Sequence, residues 1–213
     1  METIARLIKT VRKPVVTMFI GAETKGHGPT TLEEAALMAV ALAKGQNPDQ
    51  VTTRLAARDA ELRQIAKRVV AKRKKSQKYV RGLFSGGTFC AEAQILFSQM
   101  ISGVYSNAPA GKAKQLRSSL KSQKNTVIDL GEDEFTVGRP HPMIDYSLRN
   151  RRILEEAQDP ATAVILLDVV LGYGSHPDPA SELSGVIRQA RKKIAVVCSI
   201  TGTDKDPQNR RRV

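Results

Sequence analysis

The chain has 213 residues, 41% hydrophobic but only 4% aromatic with no tryptophan, two cysteines, and a formal charge of +13. This suffices for an aliphatic core and argues against a base-stacking surface, while the cysteines lack metal-ligand spacing and read as buried, reduced thiols. No apolar run approaches the roughly 20 residues of a membrane span and the start carries no signal-peptide pattern, so a cytoplasmic protein without a membrane partner is expected.

Ile4, Leu7, Ile8 and Val11 fall at helical spacing and predict an amphipathic helix over residues 2–12. Pro14 follows, and Val15–Ile20 reads as a buried strand closed by Gly21. A loop over residues 23–30 carries His27 as a solvated side chain. Thr31-Leu32-Glu33-Glu34 is a capping box, so a helix is expected to about Lys44, with Gly45 at its C′ position. Residues 1–45 thus form a strand–helix unit.

Asn47-Pro48-Asp49 opens a third helix whose far half is strongly basic. Ten basic residues between Arg54 and Lys78 stand against Asp59 and Glu61, a net of +8. Arg210–Arg212 carry three more positive charges, leaving +2 for the rest of the chain. Residues 46–78 read as a basic helical linker. Such a helix can contact phosphates, but no base-reading element or interleaved aromatic accompanies the charge. A solvated face is the preferred reading, and nucleic acid is not an expected partner.

From Tyr79 onward strands and helices alternate. The pattern predicts a strand over 79–84, a helix over 87–102, and a mobile Ser/Gly/Ala/Lys-rich excursion over 103–124. A strand over 126–130, a long loop and a helix over 147–157 follow. Then come a strand over 163–170 and the Gly172-Tyr173-Gly174 turn. The next helix is capped by Asp178 with Pro179 in its first turn, and a last strand over 194–200 ends at Thr201-Gly202-Thr203. Apolar strands separated by helices define an α/β fold, a parallel sheet with helices on both faces. Its ligand loops belong at the carboxyl ends of the strands.

Four features on that edge can carry chemistry. Ser85-Gly86-Gly87-Thr88 joins a strand to a helix and either presents bare amides to an anion or forms an ordinary tight turn. No lysine follows at P-loop spacing, which argues against a nucleotide triphosphatase. In Gly138-Arg139-Pro140-His141-Pro142 the prolines stiffen the loop around a guanidinium and an imidazole. Arg139 suits a carboxylate or phosphate and His141 proton transfer; an ion pair and a structural histidine are the alternative. Asp129 and Asp168 sit in apolar strands, where an unpaired carboxylate is costly. Asp129 reads as a loop cap, Asp168 as either structural or catalytic. The candidate catalytic set is His141, Arg139 and Asp168. The Thr201-Gly202-Thr203 nest and the Gly172 and Gly174 turn join Ser85, Gly86, Gly87 and Thr88 as candidate anion contacts, with ordinary turns the competing reading. His176 reads as a solvated loop residue.

Taken together, these segments resemble the FdrA family, relatives of the succinyl-CoA synthetase alpha subunit. The resemblance rests on Val80-Arg-Gly-Leu-Phe-Ser-Gly-Gly-Thr-Phe-Cys-Ala-Glu-Ala93 and Ile128-Asp-Leu-Gly-Glu-Asp-Glu-Phe-Thr-Val-Gly-Arg-Pro-His-Pro-Met-Ile-Asp145. It continues through Val164-Ile-Leu-Leu-Asp-Val-Val-Leu-Gly-Tyr-Gly174, Pro177-Asp-Pro-Ala180 and Thr201-Gly-Thr-Asp-Lys-Asp-Pro-Gln208. It covers residues 79–208 and, more loosely, 13–43.

The resemblance implies that residues 79–213 form a flavodoxin-like ligase domain, C-terminally incomplete, and that 1–45 resemble the end of a preceding ligase-like domain. In the synthetase relatives a Ser-Gly-Thr helix N-terminus binds a phosphorylated histidine, and Ser85–Thr88 stand at the similar point. The FdrA group is linked to acyl-CoA-synthetase-like chemistry and to carbamoyl transfer. That implies a small carboxylate and an acyl- or carbamoyl-phosphate as ligands, with partner subunits or a homo-oligomer. The chain departs from the family in several ways. The CoA-binding domain is missing, so no cofactor is expected in this chain. No histidine follows Thr201-Gly202-Thr203, and His141 does not inherit its role. The basic segment is longer than the family's. A non-catalytic assembly or remnant subunit is the competing implication.

Overall fold

The computed structural model describes residues 2–21 and 28–213, which fall into two units dividing between Ala71 and Lys72. His27 lies outside the described residues.

The first unit holds α1 (Glu2–Ile8), α2 (Leu32–Ala43) and α3 (Asp49–Ala71). The Thr31 hydroxyl accepts from the Glu34 amide at 3.1 Å, and the Glu34 carboxylate reaches back to the Thr30 amide at 2.7 Å. These bonds satisfy amides that the first helical turn leaves open. The same carboxylate accepts from Thr52 in α3 at 2.7 Å. Met38 and Ala41 of α2 pack against Val51 in the first turn of α3, and from Ala56 onward α3 is exposed. Its cations face solvent, with Arg58 also paired to Glu33 of α2.

Two expectations for this unit need correction. α1 ends at Ile8, earlier than residue 12. Val15–Ile20 is irregular, not a strand. A strand is completed by a ladder partner, and no strand lies among the described residues of this unit.

The second unit is an α/β domain with a parallel sheet of β1 (Tyr79–Phe84), β2 (Val104–Ser106), β3 (Lys114–Gln115), β4 (Asn125–Asp129), β5 (Thr162–Val170) and β6 (Ala195–Thr201). Its order is β3-β2-β4-β1-β5-β6. The β4-β1-β5-β6 portion follows the flavodoxin-like order, with the direction of winding reversing between β1 and β5. The helices are α4 (Gly87–Met100), α5 (Asp133–Thr136), α6 (Ser147–Gln158) and α7 (Pro179–Ala190).

Alternation along each strand builds two cores. Leu83, Ile128 and Ile165 face Ile153 and Leu183 of α6 and α7. Phe84 and Val127 face Cys90 and Ala93 of α4. At the amino end of β1, buried Arg81 bonds Glu156 at 2.8 Å and Asp159 at 2.7 Å. Arg152 and Ser122 close on the same Glu156 carboxylate.

Residues 103–124, expected as a mobile excursion, instead supply β2 and β3. Side chains hold them in place. Gln94 bonds the Ala108 carbonyl and the Ala110 amide, and Asn107 bonds both the amide and the carbonyl of Asp129. Cys90 is buried as expected, but Cys198 is exposed. It lies mid-way along β6, the edge strand, where Val197–Ser199 are open. No helix among the described residues is long and apolar enough to cross a membrane.

Candidate active site at the carboxyl edge of the sheet

The loops leaving β1 and β5 meet where the winding reverses, the usual place for a ligand in an open α/β sheet. Ser85 is buried there with both donors committed: its amide bonds Asp168 Oδ1 and its hydroxyl bonds Oδ2, each at 2.8 Å. Asp168 is held from the other side by Arg149 of α6. Arg149 Nη1 donates to Oδ1 at 2.8 Å and to the Asp168 carbonyl at 2.7 Å, and its guanidinium lies 4.4 Å from the Tyr146 ring centroid. Burial pushes the Asp168 carboxyl above its ordinary value, opposed by the Arg149 charge and the Ser85 donors. Arg149 is 0% exposed, and its Nε and Nη2 find no partner among the described residues.

The helix that follows has no side-chain cap, because its N-cap residue is a glycine. Gly86 is the N-cap of α4, extended at φ −155° and ψ 146°. Among the described residues the amides of Gly86, Gly87, Thr88 and Phe89 meet no acceptor, and Gly87 and Thr88 are exposed. These amides and the helix dipole favour negative charge by about 0.3–1 kcal/mol.

Asp129 tempers that field. A Cβ on Gly87 would stand 2.9 Å from Asp129 Oδ2, so the carboxylate flanks the open turn. Its Oδ1 accepts from the Gly131 amide at 2.8 Å, closing the loop after β4. Burial raises the Asp129 carboxyl above its ordinary value, with Glu132 and Asp168 adding to the rise and the Gly131 bond and His141 opposing it.

His141 points to the same place. Its Nδ1 accepts from the Met143 amide at 3.2 Å, which leaves Nε2 as the donor of the neutral ring. A Cβ on Gly131 would lie 3.0 Å from that Nε2, 3.0 Å from the Ser85 carbonyl oxygen and 3.1 Å from Asp129 Oδ1. Only a glycine lets the three converge. Met143 touches Gly86, with its Cε 3.1 Å from where a Cβ there would be.

Arg139 is exposed and lines a separate cavity of about 250 Å³ with Phe135, Pro140, Pro142, Leu148 and Arg151. None of Ser85, Gly86, Gly87 or Thr88 lines it. The stiff loop therefore turns His141 and Arg139 toward different spaces.

Gly172, at φ +142°, bonds through its amide and carbonyl to Gln208, and Gly174 has open space around it. The Thr201 carbonyl accepts from the Leu171 amide. Gly202, at φ +154°, lies against Leu171, and a Cβ would stand 2.6 Å from that residue's own. The amide and hydroxyl of Thr203 both serve Asp206, so the chain's own carboxylate sits in that nest. His176 is half-buried, its Nδ1 accepting from the Asp178 amide and its ring edge-on to Tyr146.

Three residues of this edge escape a reading of the sequence. Arg149 looks like any polar helix residue, and only the need of Asp168 for a cation hints at it. Gln208 and Met143 give no signal. Among the described residues, no group of three or more His, Cys, Asp or Glu could hold a metal ion.

A parallel sheet of flavodoxin-like order flanked by helices defines an α/β domain consistent with the ligase type. The CoA-ligase family model matches residues 83–212, and the chain belongs to that family. It is also 36% identical over 216 residues to the Uncharacterized protein YahF of Escherichia coli strain K12, a match that covers 93% of this chain. The chain spans 40% of that relative's length.

Proposed function

We propose that this chain is an FdrA-like subunit of acyl-CoA-synthetase or carbamoyl-transfer chemistry, binding a small carboxylate and an acyl- or carbamoyl-phosphate. The observation that carries this reading is the uncapped first turn of α4, with the amides of Gly86 to Phe89 open. In it the phosphoryl oxygens sit on those amides, and His141 Nε2, which carries the ring's hydrogen, donates to the acyl end. Arg139 neutralises a carboxylate held in the neighbouring cavity. Asp168 acts through Ser85 as a positioning residue. Gly172, Gly174 and the Thr201–Thr203 turn border the site, and the subunit works together with partner subunits or further copies of itself.

Sulfate and oxamate titrations followed by amide NMR test this. Shifts should concentrate at Gly86, Gly87 and Thr88. Thr88→Pro removes one donor at a first-turn position where proline is tolerated, and should weaken sulfate binding about three- to fivefold, or roughly 0.6–1 kcal/mol. Shifts confined to other loops would refute the site.

A non-catalytic assembly subunit is a second reading. It is favoured by Val137 and Ile144, 79% and 53% exposed in the segment that carries Arg139 and His141, since apolar side chains beside a functional edge suit a partner's surface. Absence of any anion-induced shift would favour this second reading.

A further inference from the structure

We propose that the exposed half of α3 is an amphipathic anchor that lays this chain on an anionic phospholipid surface. None of its residues belongs to the candidate site. Leu62, Val69, Ile65 and Val70 are 49%, 48%, 56% and 53% exposed. At 3.6 residues per turn, their spacing places them with Ala66 on one face of the helix. Arg63 and Lys67, one turn apart, border that face on one side. Arg68 borders it on the other, next to Glu61.

The charge beside this stripe is of one sign. Arg63 to Lys78 hold eight cations and no carboxylate, and all eight are exposed. Among the described residues the ion pairs of α3 are those of Arg58, with Glu33 and Asp59, both before the stripe begins. Water suffices for the cations, but it leaves four large aliphatic side chains in contact with it on one short face.

Charge complementarity calls for an anionic partner, and the stripe calls for one with an apolar layer beneath its charge. Duplex nucleic acid offers phosphates along its backbone but no such layer. A second copy of α3 suits the stripe poorly. Val51 and Leu55 are already packed with α2, and Arg58 interrupts the spacing next. The seam that is left is well short of the roughly three to four heptads of a coiled coil, and the cations of the two copies would repel. A bilayer of anionic lipid satisfies both demands. The aliphatic face enters the boundary between headgroups and acyl chains. The long stems of Arg63, Lys67 and Arg68 lie along it and carry their charges out to the headgroups.

Flotation of the full chain with lipid vesicles tests this. The chain should bind vesicles of equal parts phosphatidylserine and phosphatidylcholine, and bind pure phosphatidylcholine at least about a hundredfold more weakly. Leu62→Ser with Ile65→Ser should weaken binding to the mixed vesicles about tenfold. Lys67→Gln with Arg68→Gln should weaken it by about the same factor. All four positions are exposed, and unchanged circular dichroism of both variants checks that the helix is kept. Random-sequence duplex DNA and sedimentation equilibrium complete the test. Equal binding to both vesicle types, or to neither, would overturn the anchor. So would a serine variant that binds mixed vesicles like wild type. A wild-type dimer that the serine changes turn into a monomer, with vesicle affinity unaltered, would assign the stripe to a second copy instead. Binding to DNA alone, unaffected by the serine changes, would assign the cations to nucleic acid.

Discussion

Replacing Arg149 with methionine should destabilise the unit from Lys72 onward by about 3–5 kcal/mol, the usual loss when one partner of a buried ion pair is removed. Asp168 is then left buried with only Ser85 as a donor partner, and its folded-state pKa, already raised by burial, rises further. The sign follows from proton linkage. A group raised in the folded state binds its proton more tightly there, so the stability deficit is full at neutral pH and shrinks as pH falls toward the ordinary carboxylate value. Asp168→Asn in the same chain should recover most of the loss, since the uncompensated charge is gone and an amide can still accept from Ser85. Urea unfolding followed through the amide signals of β1 and β5 measures both variants. A single variant within about 1 kcal/mol of wild type would mean that the desolvation of Arg149, with Nε and Nη2 unpartnered, cancels what the pair contributes. The double variant separates loss of the charge pair from loss of packing against Tyr146.

The part of this edge that was legible in the sequence is the part fixed by local chemistry. Ser85–Thr88 stand between an apolar run and a helical period, and that order alone places a helix start at Gly87. Thr31 and Glu34 form a box three residues apart, which needs nothing beyond the chain around them. What stayed hidden depends on distant partners. Val104-Tyr105-Ser106 is too short to show a period, and its place in the sheet is settled by Asn107 meeting Asp129 and Gln94 meeting Ala108. Val15–Ile20 has the composition of a strand but no ladder to join among the described residues, and strand preference measures fit to neighbours more than an intrinsic backbone choice. Ala195–Ile200 reads as buried, yet an apolar run cannot say whether its strand is central or at the edge, and Cys198 is exposed for that reason. The prolines around His141 announce stiffness without direction. Their effect is to send the imidazole toward Gly131 and the guanidinium into another cavity.

Asp129→Asn should strengthen sulfate binding at neutral pH about tenfold, the largest gain expected from a single change at this edge. Asp129 Oδ2 lies close beside Gly87, so an anion on the α4 amides meets a carboxylate at short range. A unit charge at about 5 Å and an effective dielectric constant of about 20 is worth roughly 3 kcal/mol. Solvent at Gly87 and Thr88 reduces this to about 1.4 kcal/mol, a factor of ten in affinity. Asparagine keeps the oxygen that accepts from Gly131, so the loop after β4 stays closed. The pH dependence carries the stronger diagnosis. Because burial raises the Asp129 carboxyl, wild-type affinity for sulfate, whose own charge is constant, should climb as pH falls through that raised value. The Asn variant should lack this climb. Glu132, Asp168 and His141 also act on this carboxyl, so the test is the difference between the pH profiles of wild type and the Asn variant. The same raised value makes the carboxylate a cost to folding above the ordinary carboxylate range. The variant should therefore be at least as stable as wild type at pH 7 and converge with it in acid. Calorimetric titration with sulfate across pH measures the binding. Parallel profiles for the two proteins would show that Asp129 does not face the bound anion, and the open turn of α4 would then have no role in holding it.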